Sequence, residues 1–349
     1  MRIVIIALVA FLALLALGPS IKAQSSLPIS LFERYVEALR QQIGIPGMSA
    51  AITQDGRLVW DKGFGYRDVG GLVAATADTP YPILGLSQTL SSTLLLRQCV
   101  ERSHLELSDR VRRWDPEYPE DGTTVGQLLS HTSPLGGFNY DVSRFAALTR
   151  VLEQCAGDIY PRLLADELLD RLGMSQSVPG ADLGDESSPH RSLFVATDLD
   201  RYSAVLGRQA IPYRVDSRRR PARSSVPGEA ASASTGVVST VRDLARFDAA
   251  LGDGVLLDSG TLSTAWEPVG TMPTGLGWFV QNHEGERIVW HFGVAPDAYS
   301  SLVFKVPGRG LTLILLANSD GLAGPPYNLS DGRITSNVFV SVFLSLFVG

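Results

Sequence analysis

Met48-Ser-Ala-Ala-Ile-Thr-Gln-Asp55-Gly56-Arg-Leu-Val-Trp60 is the stretch on which the fold turns. Two β-rich runs meet at an Asp-Gly pair, and these two residues readily take the positive φ of a tight hairpin turn. Before it, Leu31 to Ile43 spaces apolar groups at helical intervals. After it, helical patterning starts near Ser87, runs through Leu94-Leu-Leu and Val100, and dominates until about residue 171. Residues 176–230 are rich in Ser, Pro, Gly and Arg and carry no assignable pattern. Val238 to Leu251 reads as a helix capped by Ser239 or Thr240. Then β patterning returns in Trp278–Gln281, Arg287–Trp290, Tyr299–Phe304 and Leu311–Leu316, separated by turn residues such as Glu284-Gly285 and Pro307-Gly308. The apolar run Val338 to Val348 is too short to cross a bilayer and predicts a closing helix on the sheet. The order implies an α+β fold: an antiparallel sheet with strands from both chain ends, flanked by helices, with a mostly helical insert over about 84–235.

The bulk composition fits a globular domain, with 45% apolar and 19% charged residues in a chain of 349. A net charge of −6 and the lack of a long basic run exclude nucleic acid as an expected partner. The one basic cluster, Arg218, Arg219, Arg220 and Arg223, lies between Pro212 and a Ser-rich stretch and reads as a solvated loop. Arg2, the apolar run Ile3–Leu17, the breakers Gly18 and Pro19, and Ala23 together read as a signal peptide over 1–23. The working domain is then 24–349, exported to the periplasm or secreted. Membrane association is expected only through the leader, if it stays uncleaved. Cys99 and Cys155 fall in predicted helices among apolar neighbours and read as buried thiols, although an oxidising compartment would also permit a bridge. No two of the five histidines show metal-ligand spacing, so no metal or other cofactor is expected.

Several words recur in order along the chain. They are Ile45-Pro-Gly-Met48, Leu105-Glu-Leu-Ser-Asp-Arg-Val111, Val125-Gly-Gln-Leu-Leu-Ser-His-Thr-Ser133, Leu172-Gly-Met174, Ser239-Thr-Val-Arg-Asp-Leu-Ala-Arg-Phe247, Gly275-Leu-Gly-Trp278 and Ala317-Asn-Ser-Asp-Gly321. With these words the chain resembles the serine β-lactamase / D,D-peptidase superfamily, specifically the class C β-lactamase-like serine hydrolases and their penicillin-binding relatives. The resemblance runs from about Ile45 to Val348. It implies a nucleophilic serine and a lysine base in a Ser-x-x-Lys turn, a Tyr-x-Asn element, and a Lys/His-x-Gly strand. Acyl transfer needs these parts as an activated hydroxyl, a proton acceptor and groups that orient the acyl substrate.

Against that pattern, two of the three motifs are altered. Thr79-Pro-Tyr-Pro-Ile83 and Thr89 fix the register, which sets Gly85 at the nucleophile position and Gln88 at the lysine position. No Ser-x-x-Lys exists anywhere, since Lys22, Lys62 and Lys305 are the only lysines and none has Ser three residues before it. In Phe138-Asn-Tyr-Asp-Val142 the resemblance keeps Tyr140 and sets Val142 where the Asn belongs. His291-Phe-Gly293 retains the third motif, which implies that His291 faces substrate and that Gly293 leaves room for a ligand backbone. Ala295-Pro-Asp297 alters the pocket edge beyond it. His131 belongs to a word that the resemblance makes structural. Two readings follow. In the first the chain is a pseudoenzyme, binding a small acyl or peptide ligand, a cell-wall fragment or a protein partner through Tyr140, His291 and Gly293. In the second it is an active hydrolase or esterase with a displaced nucleophile such as Ser87. Residues two apart on a helix do not share a face, so Ser87 is expected to point away from where Gly85 points.

Overall fold

In a computed structural model of the protein, which describes residues 27–349 apart from 227, 325, 326 and 328, the expected hairpin joins β1 (Gly47–Gln54) to β2 (Arg57–Asp68). Asp55 (φ 51°) and Gly56 (φ 71°) both take the left-handed backbone at its tip, the geometry that selected this residue pair. The expected leader at 1–23 lies outside the described residues. The helix before the hairpin is α1 (Leu27–Ile43). Next come β3 (Val73–Ala74), β4 (Tyr81–Pro82), a 3-10 turn over Leu84–Leu86, and α2 (Ser87–Leu95) with a π turn to Val100. The helical block continues with α3 (Val125–Leu129), α4 (Val142–Ala146), α5 (Leu148–Ala156) and α6 (Tyr160–Leu164). Within 176–230, where the sequence carries no clear period, stand α7 (Ala196–Leu206) and a small hairpin of β5 (Tyr213–Val215) with β6 (Pro221–Arg223). Arg218 to Arg220 form its exposed turn, and Arg220 pairs with Asp216.

The helix expected from Val238 starts later. Val238–Ser239 is β7, paired with β4, and α8 (Val241–Gly252) begins after Thr240, whose Oγ1 accepts from the Asp243 N–H at 3.2 Å. The remaining elements are α9 (Ser259–Ala265), β8 (Phe279–His283), β9 (Glu286–Ala295), β10 (Tyr299–Val306), β11 (Leu311–Ala317) and α10 (Val338–Phe347).

Seven strands form one sheet in the order β3-β2-β1-β11-β10-β9-β8, with strands from both chain ends. The link is β1 against β11, Met48↔Ala317 through Gln54↔Leu311, all antiparallel. Alternation along each strand sorts the core into two layers. Ala50, Ile52, Leu302, Phe304, Leu313 and Leu315 face Phe32 and Val36 of α1 and Phe339 and Phe343 of α10. Ala51, Val289, Val303, Ile314 and Leu316 face the other way, toward Leu244 and Leu251 of α8 and Leu90 and Leu94 of α2. Each fully buried side chain of this kind stabilises by roughly 1.5–3 kcal/mol relative to exposure.

The two cysteines correct an expectation. They are not free thiols: Cys99, in the π turn after α2, and Cys155, near the end of α5, are disulfide-bonded across 56 residues with a Cα–Cα distance of 6.0 Å. Two helical segments far apart in sequence pack side by side here, a proximity that apolar patterning does not encode.

Candidate functional site

The motif positions gather where the start of α2 meets the middle of β9. Leu84 (φ 55°) takes the left-handed backbone although it is a buried, branched side chain, a conformation that costs on the order of 1–3 kcal/mol. That bend turns Gly85 toward the sheet. A Cβ on Gly85 would lie 3.0 Å from the Phe292 carbonyl oxygen, 3.0 Å from Tyr140 Oη and 3.6 Å from Gly293 Cα. The glycine thus stands against the strand and the tyrosine that the resemblance pairs with it, and the space a larger side chain would need is already occupied.

Gln88, one helical turn on, is fully buried and holds two imidazoles. His131 Nε2 lies 2.8 Å and His291 Nε2 3.2 Å from Gln88 Oε1. An amide oxygen only accepts, so each ring donates from Nε2. In His291 this leaves Nδ1 to accept from the Phe292 N–H at 2.9 Å, with the Phe292 carbonyl oxygen 3.0 Å away. Both rings are neutral. Burial pushes the His131 pKa well below its usual value, with repulsion from His291 adding to it, and burial lowers His291 to about 3. Burial likewise pushes the Tyr140 phenol up, against a smaller opposing contribution from the Gln88 amide. Among the described residues no cation lowers it. Gln88 Nε2 itself is buried without a hydrogen-bond partner, and so is Ser87 Oγ.

His131 reaches the cluster through local chemistry. Thr124 and Gln127 form a capping box that starts α3, and His131 (φ 51°) ends it in the left-handed conformation just beyond the last turn. Its ring lies 4.6 Å from that of Tyr140 and stacks on Phe145 at 5.2 Å. Phe279 and Phe292 pack on Tyr140 from the sheet side, at 5.5 and 5.3 Å. The sequence offered the Leu-Leu-Ser-His-Thr-Ser word for His131. Nothing in it pointed to a contact with Gln88, which joins segments 43 residues apart.

The other sites of the sequence reading fall as follows. Val142 is 38% exposed at the start of α4, beyond the Asp141 cap, and brings no polar group to the cluster. His291 is fully buried. A Cβ on Gly293 would meet the Ile83 carbonyl oxygen, Ser301 Oγ at 2.7 Å and Leu84 Cβ at 2.8 Å, so the room this glycine leaves is taken by the bend before α2. Ser87 is fully buried, and it is Gln88 that reaches the His291 strand. Among the described residues no group of three or more His, Cys, Asp or Glu could hold a metal ion.

A family profile described as Beta-lactamase matches residues 32–330, and the chain belongs to that family. Penicillin-binding protein 4 of Amycolatopsis lactamdurans is 27% identical over 327 residues, covering 82% of this chain and 84% of the relative. Among solved structures, the octameric penicillin-binding protein homologue from Pyrococcus abyssi superposes with a TM-score of 0.72 at 19% identity, covering 91% of this chain and 77% of that one. The D-amino acid amidase from Ochrobactrum anthropi SV3 gives a TM-score of 0.68 at 19% identity over 90% of this chain and 99% of its own. The fold is that of the serine β-lactamase / D,D-peptidase superfamily.

Proposed function

We propose that this protein is a non-catalytic member of its family, exported from the cytoplasm, that binds a small acyl or peptide ligand, a cell-wall fragment or a protein partner. The observation that carries this reading is Gln88: where the family supplies a lysine base, an amide oxygen bridges two neutral imidazoles. Gly85 supplies no hydroxyl, and the nearest serine, Ser87, has no base within hydrogen-bonding distance. In a serine hydrolase acting through a coupled unit, losing the nucleophile or the base costs on the order of 10⁶-fold in kcat. Of the proposed ligand contacts, Tyr140 is half-buried as a residue with its phenol inside, whereas His291 and Gly293 are buried and shape the site from behind it.

The test is intact-protein mass spectrometry of the exported chain after incubation with benzylpenicillin and with p-nitrophenyl acetate. The expected result is an unmodified mass from a protein that melts cooperatively. A stoichiometric acyl adduct that disappears in Ser87→Ala would overturn the reading and identify a relocated nucleophile.

A further inference from the structure

A second polar cluster lies under the helix-covered face of the sheet, where β1 and β10 end and β11 begins. Thr53, Thr312 and Lys305 stand side by side on these strands, paired Thr53↔Thr312 and Lys305↔Thr312. Asp248 of α8 closes over them. Its Oδ2 accepts from Thr53 Oγ1 at 2.6 Å, its Oδ1 accepts from Thr312 Oγ1 at 3.1 Å, and it pairs with the Lys305 ammonium. Both charged side chains are only 7% exposed. A buried ion pair is a weak source of stability, because desolvation offsets most of the attraction and an apolar pair would serve as well. Its presence here asks for another reason.

The surroundings supply one. The pair forms part of the wall of a cavity of about 370 Å³, which Trp266, Leu262, Asp55 and Asp253 also line. Trp266 Nε1 is buried with no acceptor. Lys305 donates to Asp248 and, at 3.1 Å, to Thr312, and its ammonium lies 5.3 Å from the Trp266 ring centroid. An ammonium has three N–H groups, so one remains without a protein oxygen. The depth of the cavity therefore offers one hydrogen-bond donor, the third Lys305 N–H, because Trp266 Nε1 has no accessible surface. Its mouth offers the opposite, because Asp55 and Asp253 are exposed carboxylates and Lys305 and Asp248 cancel each other, leaving the cavity net negative. A ligand matching both ends carries a positive charge at one end and an accepting oxygen at the other.

We propose that this cavity binds a small primary amine with an oxygen at its far end. Its ammonium lies at the mouth with Asp55 and Asp253, its apolar body lies on Trp266 and Leu262, and its oxygen accepts from Lys305. None of these residues belongs to the Gly85–Gln88 site, so the proposal is independent of whether that site is catalytic.

Calorimetric titration of the full chain tests it with three probes: tyramine, phenethylamine, which lacks the oxygen, and 3-(4-hydroxyphenyl)propionate, which replaces the amine with a carboxylate. Tyramine is expected to saturate one site, and the carboxylate to bind at least about tenfold more weakly. The double substitution Asp55→Asn/Asp253→Asn changes exposed side chains and should weaken both amines by about tenfold or more. Asp248→Leu/Lys305→Met should weaken tyramine while leaving phenethylamine within about twofold, provided its melting curve stays cooperative. The proposal is overturned if tyramine gives no saturable heat up to roughly 10 mM, if the carboxylate binds as tightly, or if the double asparagine variant binds unchanged.

Discussion

His291 on β9 and Lys305 on β10 point from the same face of one sheet, as their in-register partners Val303 and Val289 require, yet their surroundings differ in kind. At His291 every group is neutral. One amide oxygen satisfies two imidazoles, burial keeps them uncharged, and aromatic rings fill the remaining space. At Lys305 the groups form an ion pair with Asp248, and two threonine hydroxyls bond to the pair in place of water. The first cluster is closed by packing and the second opens on a cavity. One sheet can thus carry a neutral cluster closed by packing and, elsewhere under the same face, an ion pair that lines a cavity.

The comparison can be broken most forcefully at Asp248. Asp248→Ala leaves the Lys305 ammonium buried without its partner and should cost about 3–5 kcal/mol in urea unfolding, whereas Asp248→Leu/Lys305→Met should recover most of that loss. A cost under about 1 kcal/mol would mean that Lys305 escapes to solvent and that the two clusters do not differ in kind.

Reduction of the Cys99–Cys155 bridge tests whether the helical layer that carries Gln88 depends on it. Opening a 56-residue loop should cost about 2–4 kcal/mol, read from denaturation midpoints with and without reductant. Tyramine binding at the Lys305 end should survive under conditions where the reduced protein is still folded.

Acidification sharpens the neutral side of the comparison. His291 has a folded pKa of about 3 against an unfolded value near 6.5, so the unfolded chain binds the extra proton. Stability contributed this way is fully present above about pH 6.5 and is lost as pH falls toward 3. By pH 5 the loss should be about 2 kcal/mol from His291, with His131 adding in the same direction. Urea midpoints at pH 7, 6 and 5 measure it, and His291→Gln should flatten the fall. A wild-type midpoint that does not move between pH 7 and 5 would show these rings to be protonated or exposed in the folded protein.

The smallest expected effects lie at the motif positions. Gln88→Leu should cost about 1–3 kcal/mol, because it strips two buried imidazole donors of their acceptor. Gly85→Ala should cost about 1–2 kcal/mol, since Tyr140 Oη and the Phe292 carbonyl must each give way to a new methyl group. A stabilising Gly85→Ala would mean that the space beside Tyr140 is open after all.

Much of the fold was legible in residue order. The Asp55-Gly56 turn, the apolar strand runs near both ends and the closing helix at Val338 each follow from local backbone preference or a short period. The absence of any Ser-x-x-Lys turn was legible as well, because the three lysines and the residues before them can be counted along the chain. Three features were not. Val238–Ser239 became a strand only because β4 lies beside it. Cys99 found Cys155 only through the packing of two helical segments. The histidine written into the Leu-Leu-Ser-His-Thr-Ser word met Gln88 only once α3 docked on α2.

By itself, then, the sequence determined the strand and helix order, the family, and the absence of any Ser-x-x-Lys turn, since these depend on residue identity and spacing along the chain. Tertiary structure alone decided that Gln88 would be held between two imidazoles, that Tyr140 would fill the space beside Gly85, and that Lys305 would be buried against Asp248 at a cavity wall. The reason is physical. Hydrogen-bond partners and desolvation are set by groups tens to hundreds of residues apart, and no local period or propensity carries that information.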